Sequence, residues 1–219
     1  MAITVSVTLL ALAGLLVAER MGSRSGVWIA KPLASTGFVA TGLVAAGADR
    51  LVTGDSYSIF VLSGLVLSWW GDVLLIPKQR PSLFRAGILA FLLGHIAYAG
   101  AFASAGLGYA TAGAAALGLG GVAAWVLRRL RPNVPPDLVV PVYAYVAVIS
   151  AMVVCAASTQ APARATILAG ALLFYVSDLA VARDRFIAPG FSNAAWGLPL
   201  YYCAQLVLAS TLSAQPSGP

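Results

Sequence analysis

Charged residues are scarce in this 219-residue chain: they make up 9% of it, whereas hydrophobic residues make up 60%. A soluble domain typically carries about 25% charged residues. The two cysteines and the single histidine are too few for a disulfide scaffold or a histidine-based metal site. The composition, with a mean hydropathy of +0.91, therefore excludes a disordered chain, a disulfide-rich domain and an ordinary water-soluble fold.

Long apolar runs fill the sequence instead. A transmembrane helix needs about 20 predominantly apolar residues, and eight runs of this kind follow one another between charged, Pro or Gly positions. The predicted crossings are 3–18, 29–48, 58–76, 84–104, 109–127, 138–157, 163–182 and 195–213. We therefore predict an all-α polytopic membrane protein with eight transmembrane helices in a single integral membrane domain, 1–219. The first run lacks a preceding Lys or Arg and a small-residue cleavage site, so we expect it to be retained as a helix.

Basic residues concentrate in alternate loops. Eleven of the thirteen Lys and Arg lie in or beside the loops that follow the first, third, fifth and seventh runs. They are Arg20, Arg24, Lys31, Lys78, Arg80, Arg85, Arg128, Arg129, Arg131, Arg183 and Arg185. The positive-inside rule places these loops in the cytoplasm and both termini on the non-cytoplasmic side. The net charge of +6 is thus a topology signal, and we expect no nucleic acid as a partner because no basic face with interleaved aromatics accompanies it.

Two of the seven acidic residues lie inside apolar runs. Asp72 falls in the third run and Asp178 in the seventh, whereas the other five lie in loops or at the edges of runs. A charged residue at the centre of a transmembrane helix costs about 2.5–3.5 kcal/mol on the insertion scale, so a functional reason is expected. Both runs are predicted to cross in the same direction, which places the two carboxyls at similar depth in the cytoplasmic half.

Paired carboxyls indicate acid–base chemistry. Two carboxyls that meet in apolar surroundings cannot both ionise easily, so one holds a proton while the other is charged. An acid beside a base is the arrangement that proton-transfer catalysis requires. Two alternatives remain at this point. Each aspartate could pair with Lys, Arg or Tyr and merely fix helix packing, or the protein could be a proton-coupled transporter of small solutes or lipids that uses the same aspartates.

The surroundings of the two aspartates resemble one another. The stretches 64–72 (GLVLSWWGD) and 170–178 (GALLFYVSD) share a Gly eight residues before the Asp, a Leu five before, an aromatic three before and a small residue just before. Positions 72 and 178 differ by 106 residues, about half the chain. This predicts a four-plus-four repeat over about 1–107 and 108–219. Glycines within the second and fifth runs predict close helix packing, such as Gly113, Gly118, Gly120 and Gly121.

Other polar side chains also fall within the runs. His95 and Tyr98, three residues apart, share one face of the fourth predicted helix. Tyr201 and Gln205, four residues apart, share one face of the eighth. Lys31 opens the second predicted helix, where its ammonium either snorkels to the interface or faces a lipid phosphate.

Six stretches, spread in order from the second to the eighth run, resemble the YhhN-like lysoplasmalogenase family. They are 31–33 (KPL), 68–75 (SWWGDVLL), 90–98 (AFLLGHIAY), 141–145 (PVYAY) with Met152, 175–178 (YVSD) leading to 183–186 (RDRF), and 201–205 (YYCAQ). Members of this family are eight-helix membrane proteins that cleave the vinyl ether bond of lysoplasmalogens. By this resemblance, Asp72 and Asp178 correspond to the family's two essential aspartates.

The resemblance implies a hydrolase that converts a 1-alkenyl lysophospholipid into a fatty aldehyde and glycerophosphoethanolamine or glycerophosphocholine. It implies no metal or organic cofactor, and no partners beyond the lysophospholipid and membrane lipids; oligomeric state does not follow from it. The substrate-binding residues it points to are Lys31, His95, Tyr145, Tyr175, Arg183, Tyr201 and Gln205. We expect the protein in a bacterial cytoplasmic membrane, with its active site opening toward the cytoplasmic half.

Overall fold

The computed structural model describes residues 1–77 and 79–214, without the side chains of Asp49, Leu51 and Thr53. Lys78, one of the cations of the predicted cytoplasmic loops, and 215–219, the end of the predicted domain, lie outside the described residues. In the described ranges the chain forms helices joined by turns and no β-strand. The α-helices are α1 (Ala2–Met21), α2 (Arg24–Thr53), α3 (Ser56–Leu74), α4 (Pro81–Ser104), α5 (Tyr109–Leu130), α6 (Val139–Ser158), α7 (Arg164–Phe186) and α8 (Phe191–Ser210). Short 3₁₀ helices cover Arg131–Asn133, Pro136–Leu138 and Thr211–Ala214.

Each predicted run coincides with one of these helices, with ends that differ by a few residues. The seven helices α1 to α7 contain segments long and apolar enough to cross a membrane, and the chain is an integral membrane protein. The eighth helix has 20 residues, which is long enough, but polar residues such as Asn193 and Gln205 make it less apolar. A crossing by α8, the side on which the termini lie and the internal repeat stay predictions.

Capping residues and a glycine define the ends of α1, α2 and α3. Ser23 caps α2 by accepting a hydrogen bond from the Gly26 amide at 3.2 Å, and Asp55 caps α3 through the Ser58 amide at 3.1 Å. α1 ends at Gly22, whose φ of 66° lies in the left-handed region that glycine adopts without strain. Gly22 and Ser23 alone separate α1 from α2, so these two helices run antiparallel. The connections α1–α2, α3–α4, α5–α6 and α7–α8 lie at one end of the bundle, since each contributes a residue to the lining of the same cavity.

Packing inside the bundle depends on close approach at glycines. Neighbours in sequence pack together within α1–α4 and within α5–α8, and the pairs α2 with α8 and α4 with α6 join the two groups. A Cβ at Gly64 would lie 2.7 Å from the ring of Tyr98, and one at Gly170 would lie 2.7 Å from Leu208. Only glycine allows these contacts between α3 and α4 and between α7 and α8.

α5 differs from the other helices in having little buried surface. It packs mainly against α6, and its buried residues are Val126 and Leu130. A Cβ at Gly118 or Gly121 would meet nothing within 4 Å. The prediction of close helix packing is therefore wrong for the glycines of α5, because this helix lies at the edge of the bundle and its glycines face away from the other helices. It is correct for α2, where a Cβ at Gly42 would lie 2.5 Å from Leu65 of α3.

Candidate active site

A cavity of about 710 Å³ lies inside the bundle. Its volume falls in the range of about 300–1,000 Å³ typical of small-molecule sites. Residues of the α1–α2, α3–α4 and α7–α8 turns line one side of it, including Gly22, Pro77 and Pro189, so it reaches the end of the bundle where these turns lie. Its walls are largely apolar and are built mainly by α4, α5, α6, α7 and α8. The charged lining residues are Glu19, Lys31, Asp72, Asp178, Asp184 and Arg185.

Asp72 lies near the end of α3 and is 2% exposed. Lys31 Nζ is 3.2 Å from its Oδ1 atom. Ser35 Oγ and the Tyr201 hydroxyl donate hydrogen bonds to its Oδ2 atom at 2.6 and 2.8 Å. Lys31 and Ser35 reach the same carboxylate because residues four apart lie on one face of α2. Both carboxylate oxygens are thus supplied with donors, which is how a buried carboxylate is normally stabilised.

A second layer holds these donors in place. The Tyr202 hydroxyl lies 3.2 Å from Ser35 Oγ and donates to the carbonyl oxygen of Lys31 at 3.3 Å. Tyr202 is fully buried, and its ring packs against Tyr201 with centroids 4.9 Å apart. The start of α2 and the middle of α8 are thereby fixed around the carboxylate of α3.

Asp178 has a different environment, eight residues before the end of α7. The Tyr145 hydroxyl of α6 donates to its Oδ2 atom at 2.6 Å, and His95 Nε2 of α4 lies 3.6 Å from the same oxygen. His95 is 1% exposed, and its ring packs 4.4 Å from that of Phe174 between centroids. In the ranges 1–77 and 79–214 no Lys or Arg forms an ion pair with Asp178. The two aspartates therefore have different partners: Asp72 forms an ion pair with Lys31, whereas Asp178 accepts a hydrogen bond from Tyr145 and lies close to His95.

Both carboxyls line the same cavity, but they have separate sets of donors. Within the described part of the chain no hydrogen bond joins one carboxyl to the other. A row of aromatic rings lies beside them: the Phe174 centroid is 5.4 Å from that of Tyr201, which contacts Asp72, and 4.4 Å from that of His95, which adjoins Asp178. The cavity is thus lined by the Asp72 carboxylate, which is paired with Lys31, and by the Asp178 carboxyl, which has no Lys or Arg partner in the described ranges.

Comparison with known proteins identifies the family of this chain. The family model for the YhhN family matches residues 26–212, a range that contains every residue of both aspartate clusters. The chain belongs to the YhhN family. It is also similar to the lysoplasmalogenase TMEM86A of Bos taurus, with 38% identity over 175 residues that cover 76% of this chain and 70% of the relative. No solved structure matches it significantly.

Most of the site residues predicted for this YhhN-family chain lie together in the structure. Asp72, Asp178, Lys31, Tyr145, Tyr175 and Tyr201 line the cavity. His95 does not line it, but its Nε2 atom lies 3.6 Å from Asp178 Oδ2. Gln205 is fully buried away from the lining, where its Oε1 atom accepts a hydrogen bond from Tyr98 at 2.6 Å.

Arg183 is also placed outside the lining. Its Nη1 atom donates to Asn193 Oδ1 at 2.5 Å, and Asn193 Nδ2 donates to Asp184 Oδ1 at 3.0 Å. The Asp184 carboxylate additionally accepts the Gly190 amide at 2.9 Å. These contacts connect α7 to the start of α8 and give Arg183 a structural partner, whereas Arg185 two residues later lines the cavity.

Two residues that were not among the predicted site residues also lie here: Ser35, which donates to Asp72, and Arg185, which lines the cavity. The position of Ser35 four residues after Lys31 was a usable signal, because both residues must share a face of the predicted helix. Arg185 is one of the basic residues of the predicted cytoplasmic loops, and nothing in the sequence distinguishes it from Arg183.

Proposed function

We propose that this protein hydrolyses the vinyl ether bond of lysoplasmalogens, releasing a fatty aldehyde and a glycerophospho head group. The observation that carries the proposal is the convergence of two intramembrane aspartates, Asp72 and Asp178, on one apolar-walled cavity of about 710 Å³. Membership of the YhhN family and similarity to a protein named lysoplasmalogenase support the same chemistry.

The different partners of the two carboxyls favour different roles. Asp178 has no cationic partner in the described part of the chain, so we assign it as the acid that delivers a proton to the β carbon of the vinyl ether. This step leaves an oxocarbenium ion at the carbon bonded to oxygen. We assign the anionic role to Asp72, because Lys31 Nζ lies 3.2 Å from its Oδ1 atom; its carboxylate then stabilises that positive charge, as a carboxylate does in glycosidases with an oxocarbenium-like transition state.

Water then completes the reaction. Its oxygen bonds to the cationic carbon, and the proton it loses passes to a carboxylate of the site. The resulting hemiacetal breaks its bond to the glycerol oxygen, with one proton moving from the hemiacetal hydroxyl to that oxygen, and gives the aldehyde and the alcohol. Tyr145 and Tyr201 orient the two carboxyls through hydrogen bonds of 2.6 and 2.8 Å.

The apolar walls suit the alkenyl chain of such a substrate. Val126 and Leu130 of α5 and Val142, Val146 and Ile149 of α6 line the cavity. An alkenyl chain that enters from the bilayer thereby stays in apolar surroundings, and the cost of exposing it to water, about 0.8 kcal/mol per methylene group, is avoided. The head group then lies toward the turns at the open end, which the positive-inside rule assigns to the cytoplasm.

Aldehyde release in detergent tests this function directly. Purified protein is incubated with 1-alkenyl and 1-acyl lysophospholipids in micelles, beside the variants Asp72→Asn and Asp178→Asn. We expect aldehyde from the alkenyl lipid only, and a loss in kcat of about a hundredfold or more in each variant, because acid–base groups typically contribute this much. Asp137→Asn is the control, since Asp137 is exposed and pairs with Arg85 outside the cavity.

The same assay distinguishes hydrolysis from proton-coupled transport. A transporter leaves the vinyl ether bond intact and releases no aldehyde, and micelles enclose no compartment in which transport could be measured. Full turnover by Asp72→Asn or Asp178→Asn would refute the acid–base roles, and the absence of aldehyde from the unmodified protein would refute the hydrolase.

A further inference from the structure

One cation at the mouth of the cavity has no part in the proposed chemistry. Arg185 lies in the last turn of α7 and lines the cavity. The other cation among the described lining residues is Lys31, and it is held by Asp72 at 3.2 Å. Arg185 has no carboxylate within ion-pairing distance in the described ranges, and its guanidinium carbon lies 4.1 Å from the centroid of the Phe84 ring.

The Phe84 ring holds the Arg185 guanidinium in an orientation that leaves its N–H groups available to an anion. A cation over the face of an aromatic ring is held by the quadrupole of the ring. The N–H groups at the edge of a planar guanidinium then stay available, and their geometry matches two phosphate oxygens. Phe84 belongs to the first turn of α4, so the contact also fixes the arginine between α4 and α7 at the entrance.

The position of Arg185 along α7 matches the length of a head group. Asp178 and Arg185 are seven residues apart, which is almost two helical turns, so they share a face and lie about 10 Å apart along the axis. In a lysophospholipid, three carbon atoms and one oxygen separate the ether oxygen from phosphorus. A lipid with its vinyl ether beside Asp178 and its chain among the apolar walls therefore extends its phosphate toward Arg185.

We propose that Arg185 binds the phosphate of the lysophospholipid and thereby selects phosphate-bearing ether lipids over neutral ones. The proposal rests on the proposed function, because the substrate position is defined by Asp178. Arg183, the other arginine of this helical turn, does not line the cavity, and its guanidinium donates a hydrogen bond to the Asn193 side chain of α8.

Binding of two saturated ether lipids tests the role of Arg185 without requiring hydrolysis. The probes are 1-alkylglycerophosphoethanolamine and 1-alkylglycerol, which differ in the phosphate-containing head group. The full chain is purified in a neutral detergent that contains no phosphate, so the only phosphate available is that of the probe. Arg185→Gln and Arg185→Lys are compared with Arg129→Gln, a control in which the arginine also lies over an aromatic ring, Trp125, but outside the cavity.

We expect Arg185→Gln to weaken binding of the phosphate lipid about tenfold to hundredfold, the range for a charge-assisted hydrogen-bonded pair, and to leave binding of 1-alkylglycerol unchanged. Arg185→Lys should retain part of the affinity, and Arg129→Gln all of it. Equal losses for both lipids would indicate a structural role, and no loss for either would exclude phosphate binding; both results overturn the proposal.

The outcome is independent of the hydrolase assay. Failure of the unmodified protein to release aldehyde from an alkenyl lipid would refute the proposed function while the two binding constants still decide the role of Arg185. Conversely, aldehyde release by Arg185→Gln with an unchanged KM for the phosphate lipid refutes the inference alone.

Discussion

Replacing Lys31 with Met removes the cation of a buried ion pair. Lys31 Nζ lies 3.2 Å from Asp72 Oδ1, and the two side chains are 13% and 3% exposed. At an effective dielectric constant of about 20, unit charges at this separation attract by about 5 kcal/mol. Desolvation offsets part of this energy, but removing one partner leaves the other charge buried and costs about 3–5 kcal/mol. Because Lys31 keeps some contact with solvent, we expect the free energy of unfolding of Lys31→Met to fall by about 3 kcal/mol.

A double-mutant cycle measures the interaction energy between Lys31 and Asp72. Lys31→Met, Asp72→Asn and the double variant are unfolded with increasing SDS in mixed micelles and followed by tryptophan fluorescence. The double variant should lose about 2 kcal/mol less than the sum of the single losses. Arg85→Met, which breaks the exposed pair with Asp137, is the control and should change stability by less than about 1 kcal/mol. Losses that add within about 0.5 kcal/mol, together with weaker lysophospholipid binding in Lys31→Met, would refute the ion pair and favour a lipid-phosphate role for Lys31.

Two further predictions concern packing and chemistry. Gly64→Ala should lower the free energy of unfolding by about 1–3 kcal/mol, because the new Cβ would lie 2.7 Å from the Tyr98 ring. Gly118→Ala, whose new Cβ meets nothing within 4 Å, should be neutral or stabilising by up to about 1 kcal/mol. The same SDS titration compares the two variants, and equal losses of stability would contradict the packing described here. Tyr145→Phe removes the 2.6 Å donor to Asp178 and should lower kcat for aldehyde release about tenfold with little change in KM, so an unchanged kcat would show that this hydrogen bond does not orient the acid.

The helices were predictable because the bilayer imposes a length and a composition on every crossing. The same constraint singled out Asp72 and Asp178, since a carboxyl in an apolar run is costly wherever its helix faces. The structure adds the direction in which each side chain points. That information decides which residue faces a neighbour, and a run that is apolar on all sides does not contain it.

Arginines 183 and 185 illustrate what the pattern leaves undetermined. They are two residues apart, so they lie about 200° apart around α7 and cannot face the same partner. Which of them faces the cavity depends on the rotation of α7 against α8, and that rotation is set by contacts such as Gly197 against Ala180. In α5 the sequence pattern instead predicts contacts that the structure does not have. Its glycines have the composition of a packing interface, but no neighbouring helix of the described chain covers them.

Because α5 offers only one side to the rest of the protein, most of its positions need only remain compatible with lipid. A saturating mutational library should therefore record broad tolerance along this segment, interrupted at Val126 and Leu130, where it closes the reaction chamber. Fluorophores or cross-linkers for following substrate entry are best attached to its outer surface. A label there reports on events beside the chamber without altering the chamber itself.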